Sequence, residues 1–248
     1  MASIKFNSYE GTNVGLKRSA NEDSYGHMEI PGKGYLYIVC DGMGGHVGGA
    51  EASRSADQFI KDYFDTNEYR NVPEITINDA NAFANTQIFY KSSIDSAFSG
   101  MGTTCTLVLL LNSGKAYYAH VGDSRIYLYS GGKMHRLTKD HSFVQTLVDM
   151  GSISEGDAEN HPLKNQITRA LGIEERVEPD MPSSPAQLSK GDMLLLCTDG
   201  LTGMTTEEKI AKQLKSCADS DPVPDLIRLA LEGGGKDNIT ATVLQVIE

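Results

Sequence analysis

Acidic side chains recur at the ends of apolar runs in this chain. Asp41 follows "YLYIVC", Asp199 follows "MLLLCT", Asp123 follows "AYYAHVG", and Asp237 stands shortly before "TATVLQVI". A carboxylate at the end of a buried strand is poorly solvated, so it is costly unless a cation lies beside it. Few basic residues are near these acids in the sequence, and we therefore expect metal ions as the cations. All-oxygen ligands favour hard ions, Mg²⁺ or Mn²⁺, over zinc.

Each acid taken alone has a simpler interpretation. Asp41 and Asp199 both precede glycine, and Asp-Gly is a common turn dipeptide. Two further acids, Glu22 and Asp23, stand in "KRSANEDSYG" ahead of the first strong strand pattern. The repetition of this setting along one chain favours a metal site over a set of unrelated turns.

The glycine-rich stretch "DGMGGHVGGAEAS" at 41–53 fails the tests for a nucleotide-binding loop. The spacing from Gly44 to Gly49 is that of a P-loop, but Ala and Glu follow where Lys and Ser or Thr are required. A dinucleotide loop would need glycine at Val47. The glycine after Asp41 can instead let the backbone come close to a cation.

The surrounding pattern predicts strands and helices in separate clusters. Short runs rich in β-branched, aromatic and aliphatic residues predict strands at 35–40, 104–111, 115–121, 125–130, 193–198 and 240–247. Turn residues at 112–114 and 130–133 predict hairpins, and hence antiparallel sheets. Apolar residues three and four apart predict helices at 48–64, 78–95, 142–151, 206–217 and 224–231. This order favours an α+β fold.

Composition limits the partners of the protein. The 248 residues carry a net charge of −11, which argues against binding to nucleic acid or an anionic membrane. The first residues show no secretory signal pattern, and no apolar run is long enough to span a bilayer. The four cysteines form no C-x-x-C pair, so neither a zinc ribbon nor a disulfide scaffold is expected. We expect a cytoplasmic monomer.

The ordered motifs resemble the metal-dependent Ser/Thr protein phosphatases of type 2C, in their bacterial stand-alone form. The similarity covers about residues 11–246 and rests on "RSANEDS" (18–24), "DGMGGH" (41–46), "GTT" (102–104), "HVGDSR" (120–125), "DHS" (140–142), "ITRALG" (167–172), "TDGLT" (198–202) and "DNIT" (237–240). The resemblance implies one catalytic domain over residues 1–248. It also implies an α-β-β-α fold, in which two antiparallel sheets pack as a sandwich with helices on both outer faces.

The resemblance also implies roles for individual residues. Asp41 would bridge two metal ions, Asp199 and Asp237 would hold the first ion, and Glu22 with the Gly42 carbonyl would hold the second. Asp123 with Asp199 matches a third, weaker site, so we expect two to three Mn²⁺ or Mg²⁺ ions. Arg18 would grip the substrate phosphate, and Asp23 and Asn238 would support the ligands from behind.

The implied reaction is the hydrolysis of phosphoserine and phosphothreonine in proteins, by a metal-bridging hydroxide that attacks phosphorus. The expected substrates are phosphorylated proteins, among them a Ser/Thr kinase and its targets. Two alternatives stay open at this point. One is a non-catalytic regulatory module of the same fold, and the other is a small-molecule phosphoesterase.

One position departs from the animal members of the family. They carry histidine, a proposed general acid, where this chain has Met43, which cannot donate a proton. His46 is nearby, but a single histidine is more often structural. The segment at about 142–170 resembles the family's flap over the active site. His141 and His161 lie beside or within it, and we expect structural or solvated roles for both.

Overall fold

Two antiparallel sheets face each other in the computed structural model, which describes residues 4–66, 72–217 and 220–248. The strands are β1 (Phe6–Asn13), β2 (Asp23–Ile30), β3 (Gly34–Met43), β4 (Gly102–Thr103), β5 (Cys105–Leu111), β6 (Lys115–Val121), β7 (Arg125–Ser130), β8 (Lys133–Arg136), β9 (Ala186–Gln187), β10 (Met193–Cys197) and β11 (Ile239–Val246). The first sheet has the order β1-β11-β10-β7-β8 and the second β2-β3-β5-β6-β9, with β4 paired to β3.

Helices cover the outer face of each sheet. They are α1 (Gly45–Thr66), α2 (Pro73–Ile94), α3 (Phe143–Asp149), α4 (Glu155–Glu159), α5 (Asp199–Thr202), α6 (Glu207–Ser216) and α7 (Val223–Glu232). The pair α1 and α2 packs on the second sheet, whereas α6 and α7 pack on the first. The expected α-β-β-α sandwich is confirmed. No helix in the described part of the chain is both long enough and apolar enough to cross a membrane.

Alternation along the strands separates three apolar layers. In β3, Leu36, Ile38 and Cys40 pack towards the helices, while Tyr37 and Val39 pack between the sheets. The same alternation divides β10 between the helix side and the sheet side. Because successive side chains of a strand point to opposite faces, the residue two beyond Val39 faces the space between the sheets. That residue is Asp41, at the open end of the sandwich.

The six strands predicted from the sequence are confirmed, as are both hairpins. The predicted start of the second helix at residue 78 is wrong, because α2 begins at Pro73. Proline favours the first position of a helix, where its missing N–H costs nothing. The strands β1 and β2 were not predicted, because half-exposed polar residues interrupt their apolar pattern.

A largely buried ion-pair network fixes the segment between β8 and α3. Arg125 makes a two-pronged contact with Asp140, with Nε–Oδ1 at 3.1 Å and Nη2–Oδ2 at 2.7 Å, and Arg136 binds the same carboxylate. Tyr127 accepts a hydrogen bond from Arg125 at 3.2 Å and donates one to Glu207 of α6 at 2.9 Å. Burial alone would raise the pKa of Asp140, but the hydrogen bonds and charges of the two arginines lower it below its usual value.

We predict that Asp140→Ala destabilises the fold by about 3–5 kcal/mol, because it leaves two arginines without their shared carboxylate. Chemical denaturation monitored by circular dichroism measures the loss. Asp149→Ala is the control, since Asp149 pairs with Lys139 at the surface, where ion pairs contribute little. An equal, small loss in both variants would contradict the importance of the buried network.

Candidate metal centre

A cleft of about 510 Å³ opens where the ends of several strands meet. Five acids from separate parts of the chain line it, and they are Glu22, Asp41, Asp123, Asp199 and Asp237. They belong to the segments next to β2, β3, β7, β10 and β11, so both sheets contribute. Arg18, Gly42 and Asn238 also line the cleft. The structure therefore brings together every predicted site residue except Asp23.

The carboxyl group of Asp41 lies among other acids. Burial raises its pKa well above the usual value, and the charges of Asp23, Asp199, Asp123 and Asp237 raise it further. Burial likewise raises the pKa of Asp199 to about 6, with Asp237 as the next cause. A group of acids that disfavour one another's ionisation binds a cation favourably, because the cation offsets the repulsion.

Asp23 lies behind the cleft and joins the two sheets. It is paired with Asp41 across β2 and β3, so the two side chains share the inner face of the second sheet. Its Oδ2 accepts hydrogen bonds from Thr240 Oγ1 of β11 at 2.6 Å and from Thr198 Oγ1, directly after β10, at 2.9 Å. Its Oδ1 is buried and has no hydrogen-bond partner among the described residues. Burial raises the pKa of Asp23 to about 7, and that acceptor atom is free to receive a proton or a water ligand of a metal.

Asn238 connects the loop that carries Asp237 to the loop that carries Glu22. Its Nδ2 donates to the carbonyls of Val14 and Ala20, at 3.0 and 2.9 Å, and its Oδ1 accepts from the backbone N–H of Glu22 at 2.8 Å. These bonds engage both N–H donors and the carbonyl oxygen of one amide to hold the 14–22 loop. Asn238 thus positions Glu22 next to Asp237.

Arg18 reaches over the cleft from the same loop. Its Nη2 lies 2.7 Å from Asp237 Oδ2, and this hydrogen bond is the main reason that the pKa of the guanidinium is raised. About half of the Arg18 side chain is exposed. The guanidinium is thus a positive group at the mouth of the cleft, where an anion from solvent can reach it.

Two glycines allow close contact between backbones, in place of the turns that Asp-Gly usually forms. A Cβ atom on Gly42 would stand 2.0 Å from the carbonyl oxygen of Gly49 in the first turns of α1. A Cβ atom on Gly200 would stand 1.8 Å from the carbonyl oxygen of Asn238. Neither glycine has a positive φ. The glycine after each aspartate is therefore required for packing of the ligand-bearing segments against one another.

Threonine and serine side chains hold the backbone next to the acids. The hydroxyl of Thr104 accepts a hydrogen bond from the Asp41 N–H at 2.8 Å, and the Thr104 N–H donates to the Asp41 carbonyl at 2.9 Å. The same hydroxyl lies 2.7 Å from that of Ser124, the neighbour of Asp123. Thr103 Oγ1 also donates to the Asp41 carbonyl. Nothing in the local sequence indicates these long-range partners.

The residues present fit a hard divalent cation in the chemistry of their donors. The cleft offers oxygen ligands of high negative charge, and the unpartnered Oδ1 of Asp23 lies behind them. Within residues 4–66, 72–217 and 220–248, no three Asp, Glu, His or Cys side chains already converge on one point where they could hold an ion. The acids instead surround the cleft, with Asp237 engaged by Arg18. Small side-chain rotations are therefore needed to complete a coordination shell.

The remaining predicted residues occupy supporting positions. Met43 lines the cleft, whereas the side chain of His46 falls outside the described residues. His161 is on the surface of the segment predicted as the flap, with Nδ1 accepting from the Leu163 N–H. Asn165 and Ile167 of this segment line the cleft, although the sequence gave no sign of a role for Asn165. Arg169 Nη1 binds Asp180 Oδ1 at 2.7 Å.

Two buried histidines lie beneath the end of this segment. His141 Nδ1 accepts from the Gly122 N–H at 3.0 Å, and its Nε2 lies 3.1 Å from Asp180 Oδ2. The ring of His120 lies 4.9 Å from that of His141. Burial, followed by the neighbouring His141, lowers the pKa of His120 to about 4. Both histidines are structural, in agreement with the expectation for His141.

Comparison with known proteins yields one consistent family. The family model described as protein phosphatase 2C matches residues 11–227. The serine/threonine phosphatase stp of Listeria innocua is 40% identical over 242 residues, which is 94% of this chain and 93% of the relative. The protein phosphatase PhpP of Streptococcus pneumoniae is 36% identical over 239 residues, covering 96% of each chain.

Solved structures agree with this assignment. The Mycobacterium tuberculosis serine/threonine phosphatase PstP/Ppp superposes with a TM-score of 0.88 at 34% identity, covering 98% of this chain and 99% of that one. The Streptococcus agalactiae serine/threonine phosphatase gives 0.91 at 34% identity, covering 98% and 100%. A structure of the PstP catalytic domain in complex with two manganese ions gives 0.84 at 33% identity, covering 98% and 99%.

His120 makes the fold sensitive to acid. A histidine with a lowered pKa in the folded state binds fewer protons there than in the unfolded chain, so its contribution to stability is present above pH 6.5 and is lost as the pH falls towards 4. The free energy of unfolding of the wild type should fall between pH 8 and pH 5. We predict that this fall is about 2 kcal/mol smaller in His120→Gln. Urea denaturation at both pH values measures the difference.

The exposed His135, replaced by glutamine in the same way, gives the contribution of a surface imidazole. If the wild type and His120→Gln lost stability in parallel between the two pH values, the buried neutral state of His120 would be disproved.

Proposed function

This chain belongs to the protein phosphatase 2C family and is a metal-dependent serine/threonine protein phosphatase, and we propose that the acid-lined cleft is its active site. The observation that carries the assignment is that five acids from five segments line one cleft beside a partly exposed arginine. A decayed, purely regulatory homologue would have no physical reason to keep so many repelling carboxylates together.

We propose a division of the acids between ions. Asp41 would bridge two ions, Asp199 and Asp237 would hold the first, and Glu22 with the Gly42 carbonyl would hold the second. The influence of Asp199 on the raised pKa of Asp123 supports a third, weaker site between these two acids. Two to three Mn²⁺ or Mg²⁺ ions fit this arrangement, and a relative of known structure contains two manganese ions.

The metal ions, when bound, supply Lewis acidity, which activates water as a nucleophile and offsets charge on the phosphoryl oxygens. The chain supplies the geometry. Asn238 and Thr104 hold the backbone of the ligand segments, and Asp23 presents its free Oδ1 from behind for a proton of the nucleophilic water. Rigid placement of this kind lowers the barrier because little reorganisation remains at the moment of reaction.

Arg18 is proposed to bind the substrate phosphate. Its planar guanidinium can donate two parallel hydrogen bonds to phosphate oxygens, which a lysine cannot do. The long, flexible side chain can exchange Asp237 for the substrate without movement of the loop that Asn238 holds. An acidic protein can thus receive an anion, because cations and one arginine reverse the sign of the charge inside the cleft.

We further propose the cellular setting. Phosphorylated proteins are the substrates, and a Ser/Thr kinase with its targets is the expected partner in a bacterial signalling system. The net charge of −11 disfavours nucleic acid as substrate. We expect the protein to act in the cytoplasm as a monomer, and size-exclusion chromatography tests the oligomeric state.

We predict that Asp41→Asn lowers phosphopeptide turnover at least about a hundred-fold, because loss of a bridging ligand removes several kcal/mol of charge stabilisation. The same change should abolish the rise in melting temperature on adding Mn²⁺. In EDTA it should instead stabilise the fold, because one of the repelling carboxylates is gone.

The control for this prediction is Asp65→Asn, which changes an exposed acid near the end of α1. Wild-type calorimetric binding of Mn²⁺ by Asp41→Asn would disprove the bridging role.

We predict that Arg18→Ala raises KM for a phosphopeptide about ten-fold or more, because a charge-assisted hydrogen bond to phosphate is lost. It should weaken inhibition by inorganic phosphate to a similar extent. Steady-state kinetics at saturating Mn²⁺ measure both quantities. Lys17→Ala removes the adjacent exposed charge and is the control. An unchanged KM in Arg18→Ala would rule out the assigned contact.

A further inference from the structure

A small apolar groove lies directly beside the cleft. Its apolar lining consists of Met43, Ile167, Ala170, Ile173 and Val177, and its volume is about 90 Å³. About 10–15 Å³ of such accessible space holds one water molecule, so the groove has room for one branched apolar side chain. Ile173 is 42% exposed at its rim. We refer to this feature as the Met43 groove.

The Met43 groove and the cleft share two walls. Met43 and Ile167 line both, so the cleft and the apolar space adjoin at these two side chains. When the phosphoryl group of a substrate lies in the cleft, the polypeptide chain that carries it either passes over these two residues or leaves the cleft in another direction. The groove is therefore continuous with the surface that receives the substrate.

The groove is preformed by packing and hydrogen bonds. Asn85 of α2 donates to the carbonyls of Glu174 and Glu175, both at 3.1 Å, and accepts from the Gly172 N–H at 2.8 Å. The side chain of Ile173 packs over Gly102, where a Cβ atom would stand 2.8 Å from it. Because this wall is already ordered, the protein loses little conformational entropy when a side chain binds in the groove.

The charges around the groove favour an apolar occupant over an acidic one. Arg169 is engaged by Asp180 and by the carbonyl of Glu178, so its charge is already matched. Glu174 stands at the groove with its side chain exposed. An acidic residue of a substrate would meet this carboxylate and no free cation of the lining.

We propose that the Met43 groove is a subsite for an apolar side chain of the phosphoprotein substrate, within three residues of the phosphorylated serine or threonine. This inference rests on the proposed function. In an extended peptide, residues two apart point to the same side and lie about 7 Å from each other, so a phosphoresidue in the cleft sets a near neighbour against Met43 and Ile167. Met43 then serves recognition at the position where a proton donor was expected.

The test uses the Mn²⁺-loaded full chain and phosphoserine peptides that carry Leu, Asp or Lys at each position from three before to three after the phosphoserine. We expect Leu to raise kcat/KM over Asp about ten-fold at one of these positions, as is usual for an apolar pocket. Ile173→Asp should abolish this preference and favour the Lys peptide. Dissociation constants of peptides with a non-hydrolysable phosphonate should follow the same order.

Ile94→Asp is the matched control, because Ile94 is 64% exposed at the end of α2 and outside both cavities. It should keep the wild-type preference. Melting temperatures show whether each variant is folded, and Ile173→Ala, which should weaken the Leu preference, gives a second test should Ile173→Asp be unstable.

Equal kcat/KM for Leu and Asp at every position, or a Leu preference that persists in Ile173→Asp, would overturn the subsite. Hydrolysis of p-nitrophenyl phosphate by the wild type separates this failure from a wider one. If the wild type hydrolysed neither that ester nor any peptide, the proposed function would fail and the subsite with it.

Discussion

Mutual repulsion among crowded carboxylates is the constraint on which the arrangement of this protein depends. Asp41 lies close enough to four other acids for each of them to raise its pKa, and Arg18 is the basic residue that lines the cleft with them. Such a group is unfavourable for folding and favourable for binding of cations, since the same charges oppose the first and drive the second. The repulsion thus lowers the free energy of unfolding of the metal-free protein and raises its affinity for metal ions.

The sandwich can hold these repelling acids together because strands of both sheets end at the cleft. Strands from the two sheets deliver acids to one place, and short side chains then connect the sheets behind them. Asp23 of the second sheet bonds to Thr240 of β11 and to Thr198 directly after β10, and Asn238 ties the first sheet to the loop before Glu22. Near Asp123, the ion pair between Arg125 and Asp140 likewise holds the chain around the acids in place. A repelling cluster stays in place because the bonds around it are neutral or well paired.

The sequence predicted the acids well and their supports poorly, for a physical reason. An acid that directly follows an apolar run is predicted to lie at a strand end. Asp41 and Asp199 could therefore be recognised from the local sequence alone. The bond between Arg18 and Asp237 joins residues 219 positions apart, and no local pattern encodes it. The glycine after Asp41 was expected to let the backbone come close to a cation, and only the tertiary structure shows that the glycines after Asp41 and Asp199 also allow close backbone contacts. The polar strands β1 and β2 were missed because apolar alternation, the signal for strands, is weak in them.

Met43 shows how one position can serve binding when it cannot serve proton transfer. A thioether has no proton to give, so protonation of the leaving group must come from elsewhere in the cleft. Its flexible, polarisable side chain is instead suited to contact irregular apolar surfaces. Because Met43 ends β3 only two residues after Asp41, any side chain that contacts it is held at a fixed distance from the proposed metal ligands. Recognition and chemistry are therefore coupled through a single strand, and the backbone bonds of Thr103 and Thr104 to Asp41 keep that strand end rigid.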